Sequence, residues 1–330
     1  MKVTGLIRLF AVLFCAAAVS AAWVRAAGQS VSAQPAPQGQ LAILDTDIGD
    51  DIDDAFALAL VLRSPELRLI GITTAYGDTE LRARLVDRYL GAVGRLDITV
   101  VAGLPTAQAN VFSQAAYARQ ALKPIGNHAN GVDFLLDQIR AHPEEITLIA
   151  IGPLTNIEAA IQRDPATFKK LKRVVMMGGS VYRGYGPEGA PPIPEWNISR
   201  DPAGARALLA SGVPVYMMPL DSTQIPLEEA ERERIFSHGS PLTDQLTLLY
   251  HQWKENAPGH PQTPTLFDPV AVAYAVKPEL CPATPLRLEV DDKGFTRPVP
   301  GAPNAQVCLK SDEKGFLELL LGRITSDAAH

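Results

Sequence analysis

What the sequence lacks narrows the field first. No Lys/Arg-rich run appears anywhere, and 30 basic residues against 36 acidic ones give a formal net charge of −6, which argues against a nucleic-acid or anionic-membrane partner. No GxxxxGK[ST] segment is present, so the common phosphate cradle for ATP is missing. There is no internal repeat. Aromatic residues make up only 6% of the chain and cysteine occurs three times, while 47% of the residues are hydrophobic and 20% charged. That balance excludes disorder, collagen and coiled coil, and 330 residues can bury a large core. A small or cationic ligand is expected.

The N-terminus reads as an export signal. Lys2 and Arg8 form a positive region, Leu9 to Ala22 is apolar apart from Ser20, and small-residue cleavage options follow at Val19-Ser20-Ala21 or Arg25-Ala26-Ala27. The apolar stretch is short for a bilayer, which needs about 20 residues, so cleavage is expected to leave no stable membrane insertion. Phe14 before Cys15 is too bulky for a lipoprotein site. The expected organisation is a signal peptide (1–27), a flexible Pro- and Gly-containing leader (28–40) and a single folded domain (41–330), with the product periplasmic or secreted. Cleavage removes Lys2, Arg8 and Arg25 and no acid, leaving 27 basic residues against 36 acidic ones. Of the cysteines, Cys281 and Cys308 remain; they could pair in an oxidising compartment or stay as buried thiols.

From Leu41 onward strand and helix signals alternate: strands at 41–44, 67–74, 98–102, 146–151, 174–177 and 214–218, and helices at 53–62, 80–94, 131–141, 156–162 and 202–211. This predicts an α/β fold with an open, mostly parallel central sheet flanked by helices. After Asp221 the pattern is mainly helical, with β-rich stretches near 286–290 and 306–309. The Gly- and Pro-rich segment 178–194 is the longest irregular stretch, and long loops in compact domains often carry function. The segment Gly126–Gly131 reads equally as a lid or as a turn with a helix cap at Asn130.

The chemistry gathers where the first strand ends. Asp45, Asp47, Asp50, Asp51, Asp53 and Asp54 place six carboxylates within ten residues, after an apolar strand and before a helix. Helix capping and the macrodipole would account for Asp51, Asp53 and Asp54. They do not account for Asp45 and Asp47 in the strand end. Repulsion on this scale calls for a hard divalent cation, and an all-oxygen set without His or Cys favours calcium or magnesium over zinc.

The stretch Asp45-Thr46-Asp47-Ile48-Gly49-Asp50-Asp51-Ile52-Asp53-Asp54-Ala55 resembles the N-terminal aspartate motif of the nucleoside hydrolases, the inosine-uridine-preferring N-ribohydrolases. Three more motifs follow in that family's order: Gly152-Pro153-Leu154-Thr155-Asn156, Met177-Gly178-Gly179 with Glu195-Trp196-Asn197, and Asp268-Pro269-Val270-Ala271-Val272-Ala273. The resemblance implies one Ca2+ per subunit, held by Asp47, Asp54, the main-chain carbonyl of Ile151 and Asp268, binding the sugar diol and the attacking water. It makes Asp47 the general base, Asp53 a contact of the sugar 2'-hydroxyl, Glu195 and Asn197 a clamp on the far hydroxyls, and Asp45 a support. Asp78 and Met177 join the substrate contacts. The motif needs a two-residue insertion, placed so that Asp53-Asp54 precede Ala55; Asp51 is the other candidate ligand.

The implied reaction is Ca2+-dependent hydrolysis of the N-glycosidic bond of a small-molecule nucleoside, in a homodimer or homotetramer. Positive charge developing on the sugar ring suits an acidic pocket. Three departures stand out: Asp78 where the family has Asn, Gly189 where another Asn is usual, and Phe267 in place of a His that protonates the leaving base. Tyr250, His251, Trp253 and His260 are then the candidates on the leaving-group side. An exported nucleoside- or sugar-binding protein on an altered hydrolase scaffold is the alternative. A haloacid-dehalogenase-type phosphatase shares the Asp-x-Asp opening but not Glu195-x-Asn197.

Overall fold

The structure, a computed structural model, describes residues 39–120 and 130–326. The expected signal peptide, residues 28–38 of the leader and Gly126–Ala129 of the lid-or-cap segment lie outside them. In chain order the elements are β1 (Gln40–Thr46), α1 (Asp53–Leu62), β2 (Leu67–Thr74), α2 (Thr79–Ala92), β3 (Thr99–Ala102), α3 (Ala115–Arg119), α4 (Gly131–Ala141) and β4 (Thr147–Ala150). There follow α5 (Thr155–Arg163), α6 (Pro165–Phe168), β5 (Arg173–Met177), α7 (Trp196–Arg200), α8 (Pro202–Ala210), β6 (Val215–Met218) and α9 (Leu220–Thr223). The last part holds α10 (Glu229–Phe236), α11 (Pro241–Asn256), α12 (Phe267–Val276), a 3-10 turn (Pro278–Leu280), β7 (Ala283–Leu286), β8 (Leu288–Val290), β9 (Thr296–Pro298), β10 (Ala305–Cys308) and α13 (Glu313–Ile324).

Eight strands form the central sheet in the order β3-β2-β1-β4-β5-β6-β10-β7. All neighbours run parallel except β7, which pairs antiparallel with β10. Both faces are covered, as a parallel sheet requires. The alternation is visible residue by residue: Ala42, Leu44, Ile149 and Val175 pack on the side of α1, α2, α11, α12 and α13, whereas Ile43, Leu148 and Val174 pack on the side of α4, α5 and α8. The C-terminal portion is helical as expected, but β10 returns to the main sheet as its seventh strand.

Chain order reverses between β1 and β4, because β2 and β3 are laid down on one side of β1 and β4, β5 and β6 on the other. A crevice opens at the carboxyl ends of the strands at such a point. Helices α1 and α12 cross beneath it, packed on each other. Asp53 through Leu62 and Asp268 through Ala275 are buried throughout. Their Ala-, Leu- and Val-rich sequences leave no polar face, so each is a core helix, and each brings its N-terminus to the crevice.

Cys281 and Cys308 form a disulfide with a Cα–Cα distance of 5.5 Å, tying the end of the 3-10 turn to β10. At the other segment left open by the sequence, Asn130 caps α4 by accepting the Asp133 N–H.

Candidate active site

The crevice holds a cavity of about 300 Å³. Its floor and walls include Asp47, Asp50, Asp51, Asp53 and Asp54 from the β1–α1 connection, Ile151 after β4, and Asp268 from α12. Sequence order explains the crowding. Strand β1 ends at Thr46, so Asp47 to Ile52 form the connection over the sheet edge, and the next two residues open α1. Gly49 sits in this turn with φ 125°, and any Cβ there would collide with the Phe112 ring, so glycine is required.

The acids do not serve as helix caps. Ile52 is the N-cap of α1 and makes no side-chain cap hydrogen bond, while Asp53 and Asp54 lie in the first turn facing the cavity. Carboxylate oxygens of Asp53, Asp54 and Asp268 come within 4.8 Å of one another, all three residues buried. The Asp268 N–H donates to Asp53 Oδ2 at 3.2 Å, and Thr46 Oγ1 donates to Asp54 Oδ1. Two helix N-termini thus converge on one set of carboxylates, a favourable but partial compensation for their charge.

Burial is the dominant electrostatic fact. It pushes Asp47 up to about 7, opposed by the Arg82 charge and a hydrogen bond from the Trp196 side chain. Asp53, Asp54 and Asp268 are driven well above the ordinary carboxylate range by burial first and next by a neighbouring carboxylate, that of Asp51 for Asp53, of Asp47 for Asp54 and of Asp53 for Asp268. Asp45, also expected in this cluster, does not line the cavity. It is wholly buried behind it, accepts from Thr73 and from Asn156 Nδ2, and is raised to about 6 by burial.

The residues of the later motifs have defined positions. Gly152 passes so close to Asp47 that a Cβ there would stand 2.9 Å from Asp47 N and Oδ1. Asn156 Nδ2 donates to Asp45 and to the Thr74 carbonyl, and its Oδ1 accepts the Leu104 N–H, so it ties together the ends of β1, β2 and β3. Glu195 lines the cavity, yet its two oxygens accept the N–H groups of Asn197, Ile198 and Gly179 at 2.9 to 3.1 Å. Asn197 Nδ2 donates to the carbonyls of Ile151 and Met177. Both carbonyl-bearing residues line the cavity.

Five expected positions lie outside the lining of this cavity. Asp78 is exposed, caps α2 by accepting the Leu81 N–H, and is absent from the cavity lining. Tyr250 packs against Phe236 and Trp253 and donates its hydroxyl to the Gln262 carbonyl. His251 is on the outer face of α11, and neither it nor Tyr250 reaches the cavity. His260 is exposed and does not line it. Trp253 is buried, hydrogen-bonds Asp51 and lines an adjoining cavity that shares Asp50, Asp51, Asn110 and Phe267 with this one. Phe267, by contrast, is in the wall, edge-on to Tyr185 with ring centroids 5.8 Å apart.

Tyr185, Trp196 and Asn110 line the cavity without having been singled out. Tyr185 lies in the long irregular segment 178–194, the one signal that pointed near it. Trp196 stands inside the Glu-x-Asn motif. Asn110 lies in a loop with no periodicity and had no signal.

Comparison with known proteins agrees with this geometry. The family profile described as "Inosine-uridine preferring nucleoside hydrolase" matches residues 42–318. Pyrimidine-specific ribonucleoside hydrolase RihA of Citrobacter koseri is 31% identical over 311 residues, covering 86% of this chain and 97% of that protein. Among solved structures, the purine-preferring ribonucleoside hydrolase from Gardnerella vaginalis superposes with a TM-score of 0.75 at 26% identity, over 87% of this chain and 98% of that one. The plant nucleoside hydrolase PpNRh1 gives 0.74 at 26% identity, over 87% and 99%. Buried carboxylates at the β1–β4 switch point and a profile match across almost all the described residues lead to one assignment: the chain belongs to the inosine-uridine preferring nucleoside hydrolase family.

Proposed function

We propose that this enzyme hydrolyses the N-glycosidic bond of ribonucleosides to free base and ribose, with one Ca2+ per chain as cofactor. The observation that carries the reading is the approach of the Asp53, Asp54 and Asp268 carboxylates to within 4.8 Å in a buried cavity that also contains Asp47. An all-oxygen, strongly acidic donor set of this kind fits a hard divalent cation. Asp47, Asp54, Asp268 and the Ile151 carbonyl would hold it. When bound, calcium would neutralise the cluster, engage a sugar diol and acidify water in contact with it.

The remaining steps belong to the protein's own groups. Asp47, raised towards neutrality, accepts a proton from the attacking water at its carboxylate; a base is most effective when its pKa lies near the working pH. Asp53, also in the cavity lining, would meet a sugar hydroxyl. Carboxylates around the ring favour the positive charge that builds up as the glycosidic bond breaks. Asn197 orients the Ile151 and Met177 carbonyls. On the base side Phe267 and Tyr185 form an aromatic wall, and no imidazole stands among its described lining residues.

The names of the relatives point both ways on the base, one pyrimidine-specific and one purine-preferring, so uridine and inosine are the two substrates to assay first. Release of reducing sugar from either, abolished in Asp47→Asn with the fold intact, is the expected result. Binding without turnover in the presence of calcium would refute it. Export is part of the same proposal, supported by the 1–27 pattern and by the Cys281–Cys308 bridge, since disulfides persist in oxidising compartments. Cell fractionation with a cytoplasmic marker checks it.

A further inference from the structure

A fully buried arginine behind the acidic turn enters the chemistry above only through the effect of its charge on Asp47. Arg82, on α2, is 0% exposed and does not line the cavity. All five of its N–H groups are used. Nε donates to the Tyr76 carbonyl at 2.8 Å, Nη1 donates to the carbonyls of Asp47 and Ile48, and Nη2 donates to Asp50 Oδ2 at 2.8 Å and to Gln108 Oε1 at 3.4 Å. Its guanidinium carbon stands 4.9 Å from the centroid of the Phe112 ring, which in turn occupies the space beside Gly49.

The turn is held along its whole length from the same side. Beyond the two carbonyls taken by Arg82, the Gly49 carbonyl accepts the Gln114 N–H at 3.0 Å, the Asp50 carbonyl accepts Ser113 Oγ at 2.7 Å, and the Asp51 carbonyl accepts Gln114 Nε2 at 2.6 Å. Five consecutive carbonyls, 47 to 51, therefore face donors from outside the turn, while the side chains of Asp47, Asp51, Asp53 and Asp54 are left to the cavity. The Asp50 carboxylate is the exception. It is drawn back by Arg82 and by Gln108 Nε2, which lies 3.1 and 3.2 Å from its two oxygens.

We propose that Arg82, with Ser113 and Gln114, is a positioning clamp that fixes the 47–51 turn in its cation-binding shape before a cation arrives. Without it, like charges on one short turn would spread, and cation binding would have to meet the cost of gathering them; an affinity measured on a partly competent population falls by the competent fraction. Lysine cannot substitute, having three donors on a point charge in place of five in a planar fork. The clamp rests on the calcium reading given above and goes beyond it, because none of its three residues is a ligand.

The test is calcium titration by calorimetry into chelator-stripped full-length mature protein, for the wild type, Arg82→Lys and Ser113→Ala, with kcat on uridine or inosine at saturating calcium. Arg82→Lys is expected to bind calcium at least tenfold more weakly while retaining kcat within threefold once saturated, and Ser113→Ala at least twofold more weakly. Wild-type calcium affinity in both variants, even with a lowered melting temperature, overturns the clamp and leaves the calcium reading standing. If Arg82→Lys does not fold, the Ser113→Ala affinity decides alone by the same threshold. A wild-type protein that binds no calcium overturns both proposals.

Discussion

Removing calcium and raising the pH should destabilise this protein, and the sign follows from the direction of the shifts. Burial raises Asp47 from 3.8 to about 7 in the folded chain. A carboxyl raised on folding binds its proton more tightly in the native state, so its contribution to stability is complete below the unfolded value and is lost as pH climbs through the folded one. Between pH 5 and pH 8 the loss for Asp47 is on the order of 3 kcal/mol, at about 1.4 kcal/mol per pH unit up to its folded value. Asp53, Asp54 and Asp268 shift in the same direction and steepen the slope. Domains are stable by only about 5–15 kcal/mol, so the effect is large. Calcium cancels it by giving the ionised carboxylates a partner. Asp45 sits behind the cavity, raised to about 6, and keeps a smaller slope in either condition. Thermal melts in EDTA and in excess calcium at pH 5, 6, 7 and 8 provide the assay. The melting temperature in EDTA should fall by at least about 5 °C from pH 5 to pH 8, and the gap between the two conditions should widen with pH. A flat or rising midpoint in EDTA would refute the argument.

Further outcomes follow from individual side chains. Asp47→Asn should lose at least about a hundredfold in kcat, with an unchanged circular dichroism spectrum. Asp78→Ala, which removes only the α2 cap, should cost about 1 kcal/mol of stability and leave kcat/KM unchanged; a large kinetic loss would restore Asp78 to the substrate contacts. Opening the Cys281–Cys308 bridge, which closes a loop of 27 residues, should cost about 3.5 kcal/mol in a denaturant titration by the chain-entropy relation. Tyr185→Ala removes one ring of the base-side wall and should raise KM about fivefold, the equivalent of about 1 kcal/mol, with a smaller change in kcat.

The sequence was most legible where residue type and spacing both carry information. The helices 53–62 and 131–141 and the strand 67–74 match the structure end to end, since buried runs and helix formers determine them locally. Six aspartates beside an apolar strand announce an electrostatic problem whatever the fold, and the motif order places Asp268 opposite them. Arg82 is the opposite case. On an amphipathic helix an arginine reads as a solvated side chain, and only the tertiary packing of α2 under the turn makes it a buried five-fold donor. Tyr250 and His251 lie off the cavity lining for the same reason, because which face of α11 meets it depends on packing. Asp78 caps α2, and one residue can serve as a helix cap or as a ligand contact at the same sequence position. Tyr185 and Asn110 lie in loops, where no periodicity assigns a direction.

The most direct measurement is a calcium titration of chelator-stripped enzyme while ribose release from uridine or inosine is followed. Activity should be absent at the start, rise linearly and reach a plateau at one equivalent of calcium per chain. Full turnover in the chelator, or none at saturating calcium on any nucleoside, would contradict the account.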